Sequence, residues 1–417
     1  MQLKLLNFHK LISNIATNLV GAFVPLIILE ATGSITLAAA GLASQYLVRS
    51  LFIILLRKQM CEKPQLVLLV RVVPMIMYSI FIFVIEKHLW IGIVGLCLFY
   101  GISDAFKRIP LEVILNYSST EAKEEASGLG FTRLMEQVGC LVAILVGGFL
   151  LDVNKAIVVV ISLVLYVGSC VPLVLYYLKS RKDPLFNKDV VSNAQLTFKK
   201  DEKTRSVGKS IIFKILVMYG LTYFVYCFVD ALTFAYNIHL FVVNGSYGTA
   251  GVFSAIYNGA FGLGSYFFGK LNEKRDLQKI VVISCIVCGL AVFPIWFVKS
   301  IWVNYILFAV IGFMYSSICL FMFQRLITKS RILGVSNNAL FVRELTSNVS
   351  VIVPILTGCF GTMIPSFILM AVCFGISAWL IPFGEERTRR LLVDYLQYNE
   401  VIYENKGRRH FTIKKSK

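Results

Sequence analysis

Long apolar runs, separated by short polar segments, occupy most of the chain up to residue 383. Each run is long enough to cross the hydrocarbon core of a bilayer as an α-helix, which takes about 20 residues. Membrane β-strands are about half that length and alternate in polarity, so these runs are not strands. The pattern predicts twelve transmembrane helices, numbered here as spans 1–12, at residues 8–29, 35–56, 65–85, 89–115, 126–151, 156–178, 211–243, 248–270, 279–298, 301–327, 335–360 and 363–383.

The composition supports this interpretation. Of the 417 residues, 57% are apolar and only 15% are charged, whereas soluble domains average roughly a quarter charged residues. After twelve spans of about 20 residues, the remaining chain suffices for loops, one connector and a tail, but not for a large soluble domain. We therefore expect an all-α polytopic membrane protein rather than a soluble enzyme.

The net charge of +18 is explained by topology rather than by nucleic-acid binding. Basic residues lie in short segments beside the apolar runs, where they act as orientation signals. If all twelve runs span the membrane, Lys87, Lys155 and Lys299 are the only basic loop residues on one side. The basic side, which also carries both termini, is then cytoplasmic. We expect a multi-pass protein of the cell membrane that contacts the lipid bilayer and no nucleic acid.

Two polar segments divide the chain. Residues 179–210 carry mixed charge and Pro184, and they predict a flexible cytoplasmic connector between an N-terminal bundle (1–178) and a C-terminal bundle (211–383). Residues 384–417 form a basic tail with apolar residues at helical spacing. This tail predicts a short amphipathic helix followed by a segment suited to anionic lipid headgroups. A solvated tail that only enforces topology is an equally good interpretation.

An internal repeat relates the two halves. One shift of 210 residues aligns span 5 with span 11 and span 2 with span 8. A single offset that serves two helix pairs at half the chain length indicates duplication. The matched pairs are Phe131 with Phe341, Arg133 with Arg343, Gly148 with Gly358, Gly41 with Gly251, and Ser44 with Ser254.

Two local motifs resemble those of the major facilitator superfamily of secondary transporters. After span 8, Gly269, Leu271, Glu273 and Lys274 match the start of the family pattern G-x-L-x-[DE]-[RK]-x-G-R. Span 5 is similar to the glycine motif of the exporters through Gly139, Gly147 and Gly148. Small residues of this kind let helix backbones approach closely in lipid.

The sequence also departs from the family patterns. Asp276 and Leu277 replace the second Gly and Arg of the loop pattern, and Ala143 and Ile144 replace Gly and Pro of the exporter motif. The arginine that many exporters carry early in span 4 is missing. The resemblance implies two pseudo-symmetric six-helix bundles, with spans 1, 4, 7 and 10 lining a central cavity that binds a small-molecule substrate. We also expect a monomer with no cofactor.

Span 4 carries the densest group of charges inside a predicted span. Asp104, Lys107 and Arg108 have i,i+3 and i,i+4 spacing and share a helix face. Charged groups within a membrane persist where they face a wet cavity or a partner. We predict that Lys107 or Arg108 binds an anionic group of the substrate, with Asp104 as ion partner in the empty state. A purely structural cluster near the cytoplasmic end is the alternative.

Spans 1 and 7 offer further polar positions. Span 7 carries a stripe of Tyr226, Asp230, Thr233 and Asn237. A carboxylate isolated in a low-dielectric cavity can bind and release protons near neutral pH, so Asp230 is the candidate for proton coupling; a helix contact or a substrate ligand is the alternative. Asn14 and Asn18, four residues apart in span 1, are candidate cavity hydrogen-bonders or interhelical contacts. With Tyr226 and Asn237 they complete the predicted substrate site.

Spans 5 and 11 carry matching charges. Arg133 can reach Glu136 along its own helix, whereas Arg343 and Glu344 are adjacent and are expected to point apart. A basic residue at the same place in each half predicts gating ion pairs across the interface between the halves. Plain buried pairs are the alternative.

These features favour a secondary active transporter that works by alternating access. The chain has no G-x4-G-K-[ST] loop for nucleotide binding. Its four histidines are dispersed among loops and ends, so no reactive group of an enzyme is predicted. We expect proton-coupled efflux of a small amphipathic or anionic compound. A proton-coupled nutrient importer of the same fold and a non-transporting membrane sensor or scaffold are the alternatives.

Overall fold

The computed structural model of the chain describes residues 2–118, 122–180, 202–272, 276–298, 300–333 and 335–405. These residues form helices and, within those ranges, no strand. Spans 1–6 are Gln2–Gly21 with Val24–Thr32, Ile35–Leu55, Pro64–Val70 with Val72–Lys87, Leu89–Ser118, Ala122–Val153 and Lys155–Ser180. Spans 7–12 are Glu202–Tyr226 with Leu232–Asn244, Tyr247–Asn272, Gln278–Val292, Ile301–Ile332, Ser336–Leu356 and Ile364–Asn405.

Eleven of these helical segments are long and apolar enough to cross a membrane. The remaining one, span 8, has 26 residues and is diluted by glycine because one of its faces packs closely on span 5. A Cβ added at Gly251 would lie 2.8 Å from the carbonyl oxygen of Ile144, and one added at Gly262 would lie 2.8 Å from Cβ of Gln137. Close backbone approach of this kind requires small residues.

Three spans are interrupted. Span 1 is interrupted between Gly21 and Val24, and span 3 is interrupted at Arg71. In span 7 a 3₁₀ turn, Cys227–Ala231, separates the two α-helical parts and carries Asp230. A 3₁₀ segment inside a longer helix often marks a functional hinge. In span 7 this segment places Asp230 where the regular helical hydrogen bonding is interrupted.

Helix contacts occur within each predicted half and between the halves. Span 1 packs on spans 5 and 6, and span 3 packs on span 4. In the C-terminal half, span 10 packs on span 8, and span 12 packs on span 9. The halves meet along two lines, where span 5 lies against span 8 and span 2 lies against span 11. The four helices at this interface, spans 2, 5, 8 and 11, are the same four that the internal repeat relates to one another.

A buried arginine holds the N-terminal half together. Arg71 is 1% exposed, and its guanidinium donates to Ser13 Oγ at 2.9 Å and Thr17 Oγ1 at 2.8 Å in span 1. Its Nε donates to the carbonyl oxygen of Ser103 in span 4 at 2.8 Å. The guanidinium also lies 5.0 Å from the ring centroid of Tyr166 in span 6. One side chain thus ties span 3 to three neighbours.

Residues at the predicted boundaries are more helical than expected. Helix extends to Ser180 and resumes at Glu202, so both ends of the predicted connector are helical, while 181–201 lie outside the described residues. Span 12 continues without a break to Asn405, so the helix expected after residue 383 is an extension of this span. The basic end of the tail, 406–417, lies outside the described residues.

The expectation that all four histidines lie in loops and ends is wrong for His9. Because span 1 begins at Gln2, His9 lies inside the helix, is 1% exposed and contacts the carbonyl oxygen of Ser169 through Nδ1 at 2.7 Å. His239 likewise lies within the helix Leu232–Asn244, beside the ring of Tyr236. His9 thus contacts a neighbouring helix, and His239 packs on a ring of its own helix.

Candidate functional site

A cavity of about 420 Å³ lies between the two halves. Its walls come from spans 1, 2, 4 and 5 of the N-terminal half and from spans 7, 8, 10 and 11 of the C-terminal half. Sites for small molecules in proteins commonly have volumes of about 300–1,000 Å³. The cavity therefore has room for a compact organic molecule.

Most of the predicted site residues line this cavity. Spans 1, 4, 7 and 10 line it as expected, and spans 2, 5, 8 and 11 line it as well. Asn14 is the exception. It is fully buried and lies toward span 5, where a Cβ added at Gly139 would be 3.5 Å from its own Cβ. The predicted residues that line the cavity are Asn18, Asp104, Lys107, Arg108, Arg133, Glu136, Tyr226, Asp230, Asn237, Arg343 and Glu344.

Nine charged side chains on the cavity wall form one continuous chain of ion pairs with alternating sign. We call it the ion chain. It joins spans 1, 2, 4, 5 and 11, and so includes both halves. Its members, in order of contact, are Lys10, Glu136, Arg133, Glu112, Arg343, Glu344, Arg108, Asp104 and Arg49.

The first part of the ion chain lies within the N-terminal half. Lys10 Nζ is 2.8 Å from Glu136 Oε2, and Arg133 Nη1 is 3.3 Å from the same oxygen. Arg133 Nη2 then lies 3.5 Å from Glu112 Oε1. Lys10 is only 6% exposed, although a lysine this close to the chain end is commonly an exposed orientation signal. It is buried because span 1 starts at residue 2 and carries it to span 5.

The middle of the ion chain crosses between the halves twice. Arg343 Nη1 is 2.5 Å from Glu112 Oε1, and Arg108 Nη1 is 4.0 Å from Glu344 Oε2. The expectation that Arg343 and Glu344 point apart is wrong, because Arg343 Nη2 lies 3.0 Å from Glu344 Oε1. The partners of the two residues, Glu112 and Arg108, lie one helical turn apart on span 4, so both side chains turn toward that helix and meet there.

The last part returns to the N-terminal half. Asp104 Oδ2 receives Arg108 Nε at 3.2 Å and Arg49 Nη1 at 2.5 Å. The guanidinium of Arg49 lies 4.4 Å from the ring centroid of Tyr46. Asp104 is thus the ion partner of Arg108 and Arg49, and not of Lys107.

Lys107 stands apart from the ion chain. Its side chain lines the cavity, and it is the single lysine or arginine of the described cavity lining that takes part in no ion pair. A cation without a carboxylate partner at a cavity wall leaves a positive site open to a ligand.

Asp230 is the acidic counterpart. It lines the cavity from the 3₁₀ turn of span 7 and accepts a hydrogen bond from Tyr315 Oη of span 10 at 2.9 Å. Within the described lining it is the one carboxylate outside the ion chain. Lys107 and Asp230 are therefore the two charged groups at this cavity that the protein leaves without a partner of opposite charge.

The two ends of the molecule are held together differently. At the basic end, which carries Arg57 and Lys58, the ion chain is accompanied by a hydrogen bond from Arg57 to Asn338 of span 11. At the far end, Asp152 of span 5 accepts hydrogen bonds from the backbone N–H groups of Tyr247 and Gly248 at 2.8 and 2.9 Å. The Asp152 carboxylate thus accepts hydrogen bonds from N–H groups at the start of span 8, which have no acceptor within their own helix.

A second carboxylate acts at the far end. Glu30 Oε2 of span 1 accepts from Tyr247 Oη at 2.6 Å and from Lys155 Nζ at 2.6 Å. Tyr247 also packs edge-on against Phe23. Both ends of the cavity are thus crossed by polar contacts between the halves.

The sequence signature of the Major Facilitator Superfamily matches residues 8–340, which take in spans 1–10 and the start of span 11. The chain belongs to the Major Facilitator Superfamily. No curated protein sequence matches the chain.

Solved transporter structures are similar to this member of the superfamily in fold. A bacterial homologue of the iron transporter ferroportin in an outward-facing state has a TM-score of 0.65 at 12% identity, covering 95% of this chain and 100% of that one. The E. coli fucose:proton symporter has a TM-score of 0.62 at 12% identity, covering 91% and 98%. The human organic anion transporter MFSD10 has a TM-score of 0.60 at 11% identity, covering 90% and 98%.

Together, the superfamily signature and these structures confirm the predicted fold of twelve helices in two bundles. Membership in the superfamily also supports transport of a small molecule as the general function. At such identities the solved structures show the fold alone. The substrate, the direction of transport and the coupling ion have to be inferred from the residues of the cavity.

Sequence reasoning missed several cavity residues of this superfamily member. Glu112 lies four residues after Arg108 on span 4, a signal that could have placed it on the same face. Tyr315 and Phe323 of span 10 had no signal in the sequence, because aromatic residues are common in every span. Their role depends on which helices face each other across the cavity.

Proposed function

We propose that the chain is a proton-coupled transporter of a small anionic compound, working in the cell membrane by alternating access. It acts as a monomer with both termini in the cytoplasm. The observation that carries the proposal is the pair formed by Lys107 and Asp230. Of the acidic and basic residues in the described cavity lining, these two alone lie outside the ion chain.

Lys107 is the proposed site for the anionic group of the substrate. Arg108, the other candidate in span 4, is engaged by Asp104 and Glu344. An anion bound there would replace lost hydration with a charge-assisted contact. Asn18 lines the same cavity from span 1, where its amide nitrogen donates to the carbonyl oxygen of Asn14 at 2.9 Å and to Cys140 Sγ of span 5 at 3.2 Å.

Asp230 is the proposed proton carrier. It borders the cavity, so water and protons can reach it, and its one hydrogen bond comes from a neutral hydroxyl. A carboxylate with no cationic partner changes charge readily with its surroundings. Because Asp230 lies in a hinge-like turn, protonation or deprotonation of its side chain can be coupled to a movement of span 7.

The ion chain is the proposed gate at the basic end. Its two links between the halves, Arg343 with Glu112 and Arg108 with Glu344, must break if spans 4 and 11 separate there. Arg133 and Glu136 stay within one half and keep Glu112 and Lys10 placed. Movement of the two halves about a central site requires such reversible contacts at each end.

Export in exchange for protons is the first coupling mode. It is supported by the glycines of span 5, which permit the close packing on which the exporter resemblance rests. A Cβ at Gly139 would lie 3.1 Å from the carbonyl oxygen of Leu11, and one at Gly148 would lie 2.7 Å from that of Tyr247.

Cotransport of proton and anion is the second mode, and one observation favours it. Lys107 and Asp230 line the same cavity of about 420 Å³. A negative charge on Asp230 would repel an anion held by Lys107, so protonation of Asp230 would favour anion binding. By linkage, anion binding would favour protonation to the same extent.

Reconstitution into vesicles with an internal pH indicator tests the function. An outward gradient of a transported anion should acidify the vesicle interior if protons are exchanged, and should make it alkaline if they are cotransported. Asp230→Asn should abolish the pH change while anion exchange persists, and Lys107→Gln should lower anion flux strongly. Lys270→Gln, at a lysine that lies over the ring of Tyr266 outside the cavity, is the control. Normal proton-coupled flux in both cavity variants would refute the site.

A further inference from the structure

The cavity lining is chemically divided between the two halves. Five of its six lysines and arginines come from the N-terminal half. The aromatic side chains come mainly from the C-terminal half. We call six of the rings on spans 7, 8 and 10 the aromatic wall, and they are Tyr223, Tyr226, Phe234, Tyr257, Phe261 and Tyr315. The seventh ring, Phe323 of span 10, lies under the guanidinium groups of Arg133 and Arg343 instead.

Most rings of the aromatic wall contact one another in a continuous series. Ring centroids lie 5.1 Å apart between Tyr223 and Tyr226, 6.1 Å between Tyr226 and Tyr315, and 5.9 Å between Tyr315 and Phe261. Phe261 continues to Tyr257 at 6.4 Å. Such spacings are those of favourable tilted and edge-on ring pairs. The series is therefore a firm surface rather than a set of separate side chains.

One member of the wall is also fixed by the proposed proton carrier. Tyr315 donates its hydroxyl proton to Asp230 at 2.9 Å, and its ring contacts Phe374 of span 12 at 6.2 Å on the other side. The Tyr315 ring is 1% exposed, so it supports the neighbouring rings of the aromatic wall in a fixed arrangement. An aromatic surface that is already ordered binds a flat ligand with little loss of side-chain freedom.

The opposite wall provides charge in place of rings. From the N-terminal half only Tyr46 and Tyr100 add aromatic rings to the described lining. Lys107 is the cation there that has no ion pair. A ligand that satisfies both walls must carry a negative group at one end and a flat apolar body at the other.

We propose that the transported compound is a small aromatic monoanion, with its acidic group at Lys107 and its ring against the aromatic wall. This rests on the proposed function, because it assumes that the cavity is the transport site. Ring-to-ring contacts add affinity beyond apolar area alone. A saturated anion of the same size should therefore bind more weakly than its aromatic counterpart.

Native cysteines in the cavity allow a test that does not need transport. Cys140 of span 5 and Cys319 of span 10 line opposite walls, while Cys359 is exposed outside the cavity lining. Purified protein is treated with a small thiol reagent, and alkylation of each cysteine is followed by mass spectrometry. Benzoate, 2-naphthoate, cyclohexanecarboxylate and benzamide serve as probes, and ligand-induced shifts in melting temperature are measured in parallel.

Benzoate and 2-naphthoate should slow alkylation of Cys140 and Cys319 and leave Cys359 unchanged. Cyclohexanecarboxylate, matched in charge and size, should need a concentration on the order of 2- to 10-fold higher, which corresponds to the loss of one ring contact. Benzamide, which has the ring without the charge, should protect least. Melting temperatures should rise in the same order.

Two variants test which side chain binds the acidic group of the ligand and which binds its ring. Lys107→Gln should remove protection by every anion. Phe261→Leu, at a half-buried ring of the aromatic wall, should weaken binding of the two aryl anions to the level of cyclohexanecarboxylate and leave the latter unchanged. Phe267→Leu, at a span 8 ring that is 53% exposed outside the cavity lining, is the matched control and should behave like the unaltered protein.

The outcomes separate this inference from the proposed function. Equal binding of benzoate and cyclohexanecarboxylate would overturn the aromatic assignment, while proton-coupled flux of an aliphatic anion in vesicles would leave the transport function standing. Equal binding of benzoate and benzamide would refute the anion site, and with it both proposals. If no aryl anion changes alkylation or melting temperature at its solubility limit, the aromatic monoanion is excluded.

Discussion

Arg133 and Arg343 occupy equivalent positions in the two halves, and both reach the same oxygen atom, Glu112 Oε1, at 3.5 and 2.5 Å. Both guanidinium groups also lie over the ring of Phe323, at 5.8 and 4.7 Å. The internal repeat thus converges on one carboxylate of span 4. The two arginines are nevertheless unequal, because of the two only Arg343 forms an ion pair between the halves.

The first prediction follows from that inequality. Arg343→Gln should open the basic end, because it removes the 2.5 Å link between spans 4 and 11 and leaves Glu344 with Arg108 alone. Loss of one partner from a buried ion pair costs up to about 3–5 kcal/mol, and here Arg133 still partly neutralises Glu112. The measurement is the alkylation rate of Cys140 and Cys319 by an impermeant reagent added from the basic side.

Arg133→Gln is the matched control for this experiment. It removes a guanidinium of the same type from the repeat-related position, but its carboxylate partners, Glu112 and Glu136, both belong to the N-terminal half. Cavity cysteines should therefore stay as slow to react as in the unaltered protein. Equal acceleration by the two variants would show that the link across the halves has no special role.

The second prediction concerns the far end. Asp152→Ala removes the acceptor for the N–H groups of Tyr247 and Gly248 and for the hydroxyl of Ser246. Leaving helix-start N–H groups without an acceptor costs about 1–3 kcal/mol, and the contact between spans 5 and 8 should loosen there. Alkylation of the cavity cysteines from the far side should accelerate, with no change from the basic side.

Asp152→Asn is the variant to compare with Asp152→Ala. The amide oxygen still accepts one hydrogen bond, so the acceleration should be smaller than for alanine. Equal reactivity from both sides in the two variants would contradict a latch at this end.

The third prediction tests close packing at the interface between the halves. A methyl group at Gly148 would lie 2.7 Å from the carbonyl oxygen of Tyr247 and 3.2 Å from Cα of Gly248. Gly148→Ala should therefore force spans 5 and 8 apart and lower the melting temperature, with a loss of about 1–3 kcal/mol.

Gly168→Ala on span 6 provides the comparison. A Cβ there would meet no atom within 4 Å, and alanine in a helix is favoured over glycine by about 0.5–1 kcal/mol. Its melting temperature should be unchanged or slightly raised. A similar loss of stability in both variants would mean that helix propensity, and not the approach of span 8, decides the outcome.

The fold was predictable because hydrophobic run length is a strong signal in membrane proteins. Backbone groups in hydrocarbon must bond within the segment, so a long apolar run has one solution, the helix. The ends of runs were less predictable, as Lys10 shows. Its charge resembles a loop signal, yet span 1 begins before it and Glu136 provides a partner 2.8 Å away.

The site was predictable only in part. Polar residues at helical spacing placed Lys107 and Asp230 in the cavity, since a charge within an apolar run needs a reason to be there. Pairings across helices were not predictable, because they depend on how spans 4, 5 and 11 meet. Spacing along one helix could not show that Arg343 contacts Glu112, 231 residues away.

The last prediction concerns Arg71, whose charge is satisfied by neutral groups on two helices. Its guanidinium group donates hydrogen bonds to the hydroxyl groups of Ser13 and Thr17 of span 1 and to the carbonyl oxygen of Ser103 of span 4. Lysine keeps the charge, but its single ammonium cannot bond both helices in this geometry. Arg71→Lys should therefore lower the melting temperature, with a loss of about 1–3 kcal/mol for hydrogen bonds left unmade. Arg389→Lys, at a side chain that is 70% exposed, should leave it unchanged. If Arg71→Lys melted like the unaltered protein, positive charge alone would suffice at this position, and the N-terminal half would owe its cohesion to apolar packing rather than to this arginine.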